Sequence, residues 1–166
     1  MKQILFSLNL ALLALVVGCR GDDEIQVDMS KTVTDTNAPP VNLASEVART
    51  RHDNKLLLLE FASSDACPPC VLLQQRVFSS PEFIAFAKTN LHFVRLDFPV
   101  KVDLRPDTVA TNDILLQQFD VPGYPTFIAL GKDGKPFWRM DGVDSDSLFE
   151  PSNFINMLKE VEKKEQ

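Results

Sequence analysis

Apolar positions along the chain fall into short blocks whose periods change from one block to the next. From Val41 to Asn54, Val41, Leu43, Ala44, Val47 and Ala48 recur at helical spacing, with Asn42 or Ser45 able to cap, which predicts a first helix. Lys55 to Ala62 is a near-continuous apolar run, the pattern of a strand buried on both faces and central in its sheet. Cys67 to Gln75 opens with Pro68 and Pro69, which a helix tolerates only in its first turn, where the missing N–H groups would be unpaired anyway. Val71, Leu72, Val77 and Phe78 carry this helix onward. Ser80-Pro81-Glu82 then punctuates it before Phe83, Ile84, Phe86 and Ala87 resume the helical period. Leu91 to Asp97 alternates and predicts a second strand.

Phe98 to Asp107, with Pro99 and Pro106, reads as irregular, and Asn112 to Phe119 as a short helix capped by Thr111 or Asn112. Thr126 to Leu130 is a third strand, Lys132 to Lys135 a hairpin turn, and Phe137 to Met140 a fourth strand. Pro151 to Lys163 closes the pattern as an amphipathic helix with Phe154, Ile155, Leu158 and Val161 inward. This order predicts an α/β domain: a mixed sheet of about four strands with helices on both faces.

The first forty residues differ in kind. Lys2 and the apolar run from Ile4 to Val17 read as an export signal, too short to span a bilayer comfortably when a spanning helix needs about 20 apolar residues. Val16-Val17-Gly18-Cys19 resembles the lipobox of bacterial lipoproteins, which makes Cys19 the candidate site of lipid attachment and the first residue of the mature chain. An ordinary secretory signal or an uncleaved anchor are the other readings of the same residues. The acidic, polar, proline-ended stretch that follows cannot bury enough apolar surface to order itself. The division expected is therefore a signal over 1–18, a tether over 19–40 and a folded domain over 41–166. The localisation expected is the bacterial cell envelope, facing the periplasm, with Arg20 after the cysteine favouring the outer membrane under the enteric sorting rule.

The chain's 17 basic and 23 acidic residues and its pI near 4.9 leave no basic surface for phosphates, so nucleic acid is not an expected partner. No glycine-rich phosphate loop and no internal repeat is present. Of the 3 cysteines, setting Cys19 aside leaves Cys67 and Cys70. In an oxidising compartment such a pair is either a structural disulfide or a redox centre. The spacing favours the redox centre, because closing so small a loop constrains the unfolded chain little. Half of a zinc site would look the same, but there is no second C-x-x-C, and His52 and His92 fall at a helix end and in a strand. Neither a metal nor a cofactor is expected.

A thiolate is the species that attacks a disulfide, and a helix N-terminus favours it through free N–H groups and the macrodipole. Cys67 stands there as candidate nucleophile, and Cys70, one turn further in, as the thiol that resolves the mixed disulfide.

Three segments now agree: Phe61 to Cys70 after a buried strand, Val121-Pro122-Gly123-Tyr124-Pro125-Thr126-Phe127 some way on, and Asp133-Gly134-Lys135 leading into a strand that ends at Gly142. Together they resemble the thioredoxin superfamily over about Val41 to Lys163, in particular its exported members with one extra residue before the cysteine pair. The resemblance implies a thioredoxin fold and a cis Pro125 facing the pair. It also implies a substrate-binding role for Pro68, Tyr124 and Pro125, with the Tyr124 backbone pairing to an extended client. Glu60 falls where the superfamily often keeps a buried acid beneath the second cysteine; desolvated there it would be hard to ionise and able to act as a general base, whereas turned outward it would be a plain surface carboxylate. Two departures stand out. Ala66 replaces the usual aromatic residue before the first cysteine, and Pro68-Pro69 replaces Gly-Pro, removing a donor and pointing to a reducing couple.

The expected function is a thiol–disulfide oxidoreductase, reductase or isomerase, acting on protein thiols and disulfides outside the cytoplasm, with a membrane electron donor as a candidate partner. A non-catalytic binding or chaperone module with a static bridge, and a reductase dedicated to metal-site or haem-attachment cysteines, are the alternatives. Phe98 to Asp107 is the candidate family-specific surface.

Overall fold

The computed structural model describes residues 35–165, so the expected signal segment, Cys19 and most of the expected tether lie outside the described residues. Helix α1 (Leu43–Asp53) leads into strand β1 (Leu56–Ala62); α2 (Pro68–Leu73) runs on through a π-turn (Gln74–Phe78), and α3 (Pro81–Asn90) leads into β2 (Leu91–Asp97). Then come α4 (Pro106–Gln118), β3 (Thr126–Leu130), β4 (Pro136–Asp141), a 3-10 turn (Asp146–Phe149) and α5 (Pro151–Glu162). The sheet order is β2-β1-β3-β4.

All seven residues of β1 are buried, as its unbroken apolar run requires. It pairs parallel with β2, Leu56 opposite Leu91 through Ala62 opposite Asp97, and antiparallel with β3, Leu57 opposite Leu130 through Phe61 opposite Thr126. The pleat sends alternate side chains to opposite faces. Leu56 and Leu58 pack with Leu73, Val77, Phe83, Phe127, Phe154 and Leu158, so α2, α3 and α5 cover one face. Leu57, Leu59 and Phe61 pack with Val47, Val94, Leu115, Phe119 and Ile128, so α1 and α4 cover the other. Phe78 lies at the centre of the first layer, 5.1–6.2 Å from the rings of Phe83, Phe93, Phe127 and Phe154.

Four of the five α-helices open on proline: Pro68, Pro81, Pro106 and Pro151. A fixed φ and a missing N–H suit only the first turn, so each proline marks a start. Asn42 and Ser80 cap α1 and α3 by accepting from Ser45 N and Phe83 N, each at 3.1 Å. Asn54 closes α1 in the left-handed region at φ 55°.

The pattern-based account of α4 needs correction. The helix starts at Pro106, not at Asn112, and neither Thr111 nor Asn112 caps it. Its buried face is Thr108, Asn112 and Leu115, two of them polar, so its first half carries no apolar stripe to read. Asn112 Nδ2 instead donates to Asp97 O at 3.0 Å, and Thr108 Oγ1 donates to Ala38 O at 2.9 Å, which docks the end of the expected tether on α4. Among the described residues no helix is long and apolar enough to cross a membrane.

Candidate active site

Strand β1 ends at Ala62 and delivers the chain through Ser63-Ser64-Asp65-Ala66 to Cys67, the N-cap of α2. Cys67 and Cys70 are joined, S–S 2.04 Å, with Cα atoms 5.2 Å apart. Because Pro68 and Pro69 occupy the first two helical positions, the donor that reaches Cys67 Sγ is Cys70 N, at 3.2 Å. The two sulfurs differ in access: Cys67 is 7% exposed and Cys70 not at all, while Pro68 is exposed beside them.

The Tyr124–Pro125 peptide is cis, as the resemblance implied, and Tyr124 packs against the cluster of Ala62, Cys67 and Cys70. Pro125 is buried. The loop that carries them is held from three sides. Gly142 N donates to Pro125 O at 2.7 Å. The Thr126 hydroxyl lies between Gly123 O (2.9 Å) and Asp141 Oδ1 (3.1 Å). Arg139 donates to Asp141 (2.7 Å), Phe119 O (2.6 Å) and Asp120 O (3.0 Å), tying the end of α4 to β4.

Glu60 turns inward. It shares the face of β1 that carries Leu58 and Ala62, the latter packed on both cysteines, and it is wholly buried. Arg95, its register partner on β2, brings Nε to 3.3 Å of Glu60 Oε2, an ion contact without an aligned hydrogen bond, and neither carboxylate oxygen has a hydrogen-bond partner among the described residues. Arg95 is anchored in turn by donating to Gln74 Oε1 at the first residue of the π-turn. Burial pushes the Glu60 carboxyl up to about 7, Arg95 pulling it down and Asp97 adding to the rise. Tyr124 is pushed up as well, by burial first and then by Asp113 and Asp97.

Several residues here escaped the sequence reading. Phe98 stacks on Tyr124, ring centroids 5.2 Å apart, and on Phe61 at 6.4 Å, so an aromatic wall stands behind Tyr124 although Ala66 is small and exposed. Arg95, Arg139 and Asp141 carried no local signal, since each acts through a partner on another element. Asp65 and Asp97 stitch two loops together. Asp97 Oδ1 accepts from Ser64 N at 2.8 Å, and Asp65 accepts from Val100 N and Lys101 N at 2.8 and 2.7 Å, which holds its carboxyl below the usual range. Far from the pair, His52 Nδ1 and His92 Nε2 converge on the Asp53 carboxylate at 2.7 and 2.9 Å.

A cysteine pair at a proline-opened helix start, packed against the tyrosine of a cis Tyr-Pro bond on a β2-β1-β3-β4 sheet, defines a thioredoxin-fold protein of the thiol–disulfide oxidoreductase class. Residues 41–160 match the model of the thioredoxin-like domain family, and the chain belongs to that family. It is 29% identical over 114 residues to the disulfide bond reductase DsbH of Chlamydia pneumoniae, covering 69% of each chain. A 100-residue stretch, 60% of this chain, is 29% identical to thiol:disulfide interchange protein DsbD 2 of Pseudomonas aeruginosa, of which it spans 16%. Among solved structures, a DsbH oxidoreductase superposes with a TM-score of 0.64 at 27% identity, over 80% of this chain and 91% of that one. A thioredoxin from Thermus thermophilus shares the fold at a TM-score of 0.51 and 22% identity, over 78% and 88%.

The Glu60 carboxyl yields a pH test. With a folded value of about 7 against an unfolded 4.5, the folded state binds the extra proton between these limits, so stability falls as pH rises through that window. Glu60→Gln removes the titration. Its stability relative to the parent should therefore improve by up to about 3 kcal/mol from pH 4.5 to pH 8, in urea unfolding at each pH. A difference independent of pH would show that Glu60 does not titrate there.

Proposed function

We propose that this protein is an envelope disulfide reductase in which Cys67 attacks a client disulfide and Cys70 completes the exchange. The observation that carries the reading is the asymmetry of the pair: Cys67 has access to solvent at the helix start, and Cys70 has none. Only the first can meet a client directly.

In the reduced protein the Cys67 thiolate attacks one sulfur of the client disulfide, the other leaves as thiolate, and a mixed disulfide forms. Cys70, its proton passed to the Glu60 carboxylate, then attacks Cys67 Sγ and expels the second client sulfur. The client gains two electrons and two protons, and the protein is left with the Cys67–Cys70 bridge, to be reduced again by a dithiol donor. Tyr124 offers main chain to the client between Pro68 and Pro125, and the Arg139 and Thr126 bonds hold that segment in place. The similarity to a disulfide bond reductase favours a reducing role, and a membrane electron donor remains the candidate source of the dithiol. The Pro68-Pro69 pair, by limiting backbone donors to the Cys67 thiolate, favours the same direction.

Three measurements test this reading. Cys70→Ala should accumulate mixed disulfides on Cys67, visible on non-reducing gels and absent from the Cys67→Ala variant; no trapped client, together with no insulin reduction by the parent, would sink it. The potential of the pair equilibrated with glutathione should fall near the thioredoxin value of about −270 mV, and one near about −120 mV would reverse the assigned direction. A lipid on Cys19 holds the domain to its membrane in this reading, so Cys19→Ala should move the protein from the membrane fraction to the soluble one, and an unchanged distribution would remove the anchor.

A further inference from the structure

All four large apolar side chains exposed among the described residues fall within residues 100–114: Val100 at 76%, Val102 at 44%, Val109 at 42% and Ile114 at 63%. Single exposed aliphatics are ordinary, but their concentration in one stretch is not. Two of them ride on the loop that follows β2, and that loop is held to the segment leading into the cysteine pair. Phe98 N donates to Ala62 O at 2.8 Å, and the Phe98 ring stacks on Tyr124. Asp65, two residues before Cys67, accepts from both Val100 N and Lys101 N. Hydrogen bonds to an ionised carboxylate are about twice as strong as neutral ones, and here two of them fix consecutive residues. The loop is therefore not free to fold Val100 back into the protein, and its apolar surface is set before anything binds, which lowers the ordering cost of binding.

We infer that the Val100–Val102 segment, positioned by Asp65, is a selectivity surface for the client polypeptide, taking an apolar side chain close in sequence to the client's reactive cysteine. The inference rests on the proposed exchange function, which requires the client chain to come within bonding distance of Cys67 and so beside the Asp65-held loop. Asp65 is a positioning residue: it touches the loop and not the client.

The test compares two peptide disulfides that differ only in leucine or serine next to the cysteine, with 2-hydroxyethyl disulfide, which has no flanking chain, as reference. The parent protein should show kcat/KM about tenfold higher for the leucine peptide, expressed mainly in KM. Val100→Ser combined with Val102→Ser should bring that ratio close to unity, and Asp65→Ala should do so independently by releasing the loop; rates are normalised to 2-hydroxyethyl disulfide in each protein. Equal rates for the two peptides with the parent, or a ratio unchanged in the double variant, would overturn the inference. Failure of the parent to reduce 2-hydroxyethyl disulfide at all is a separate result, and it would strike the exchange function instead.

Discussion

A strand that is covered on both faces leaves no place for a charge to reach water, and β1 nevertheless carries Glu60 at its fifth position. The rest of the site is arranged around that constraint. Leu58 belongs to one apolar layer and Leu59 and Phe61, the residues next to Glu60, to the other, so the strand cannot rotate to expose the carboxyl without exposing a layer instead. The parallel register sets Arg95 opposite, and Gln74 holds Arg95 from the helix that begins at Cys67. Burial raises the proton affinity of the carboxyl, the guanidinium limits the rise, and the balance lies near neutrality. The same strand that supplies the core thus brings an ionisable group under the cysteine-bearing helix.

How much of this could be read along the chain depended on whether the signal was local. Strand β2 follows the alternation of Leu91 to Asp97 residue for residue, and the extents of β1 and β3 follow their unbroken apolar runs. The cysteine pair and the proline-opened helix are local too, because spacing alone places them in one turn. Helix α4 was half hidden: Thr108 and Asn112 face inward to bond Ala38 O and Asp97 O, and a buried polar face leaves no apolar period. Arg95 was invisible as the partner of Glu60 because the pairing exists only in the parallel register of strands separated by two helices. Phe98, Asp65 and Arg139 act across 19 to 36 residues of sequence or more, where no periodicity reports a contact.

The membership in the thioredoxin-like domain family explains the frame, and the departures within it give this chain its own character. Ala66 leaves the approach to Cys67 open on one side, while the stack of Phe61, Phe98 and Tyr124 builds an aromatic wall on another. Two prolines at the helix start leave one backbone donor on Cys67 Sγ. The segment with the cis bond draws its rigidity from Arg139 and Asp141 on β4, so the edge strand contributes to the site without touching the cysteines.

The bonds of Asp65 and Asp97 join the loop before Cys67 to the last residue of β2 and to the loop that follows it. A residue added between Ala62 and Cys67 would carry the Asp65 carboxylate away from the two amides it holds, and one added directly after β2 would carry those amides away from Asp65. The spacing before the cysteines and the seating of a loop thirty-five residues away are thus one mechanical constraint.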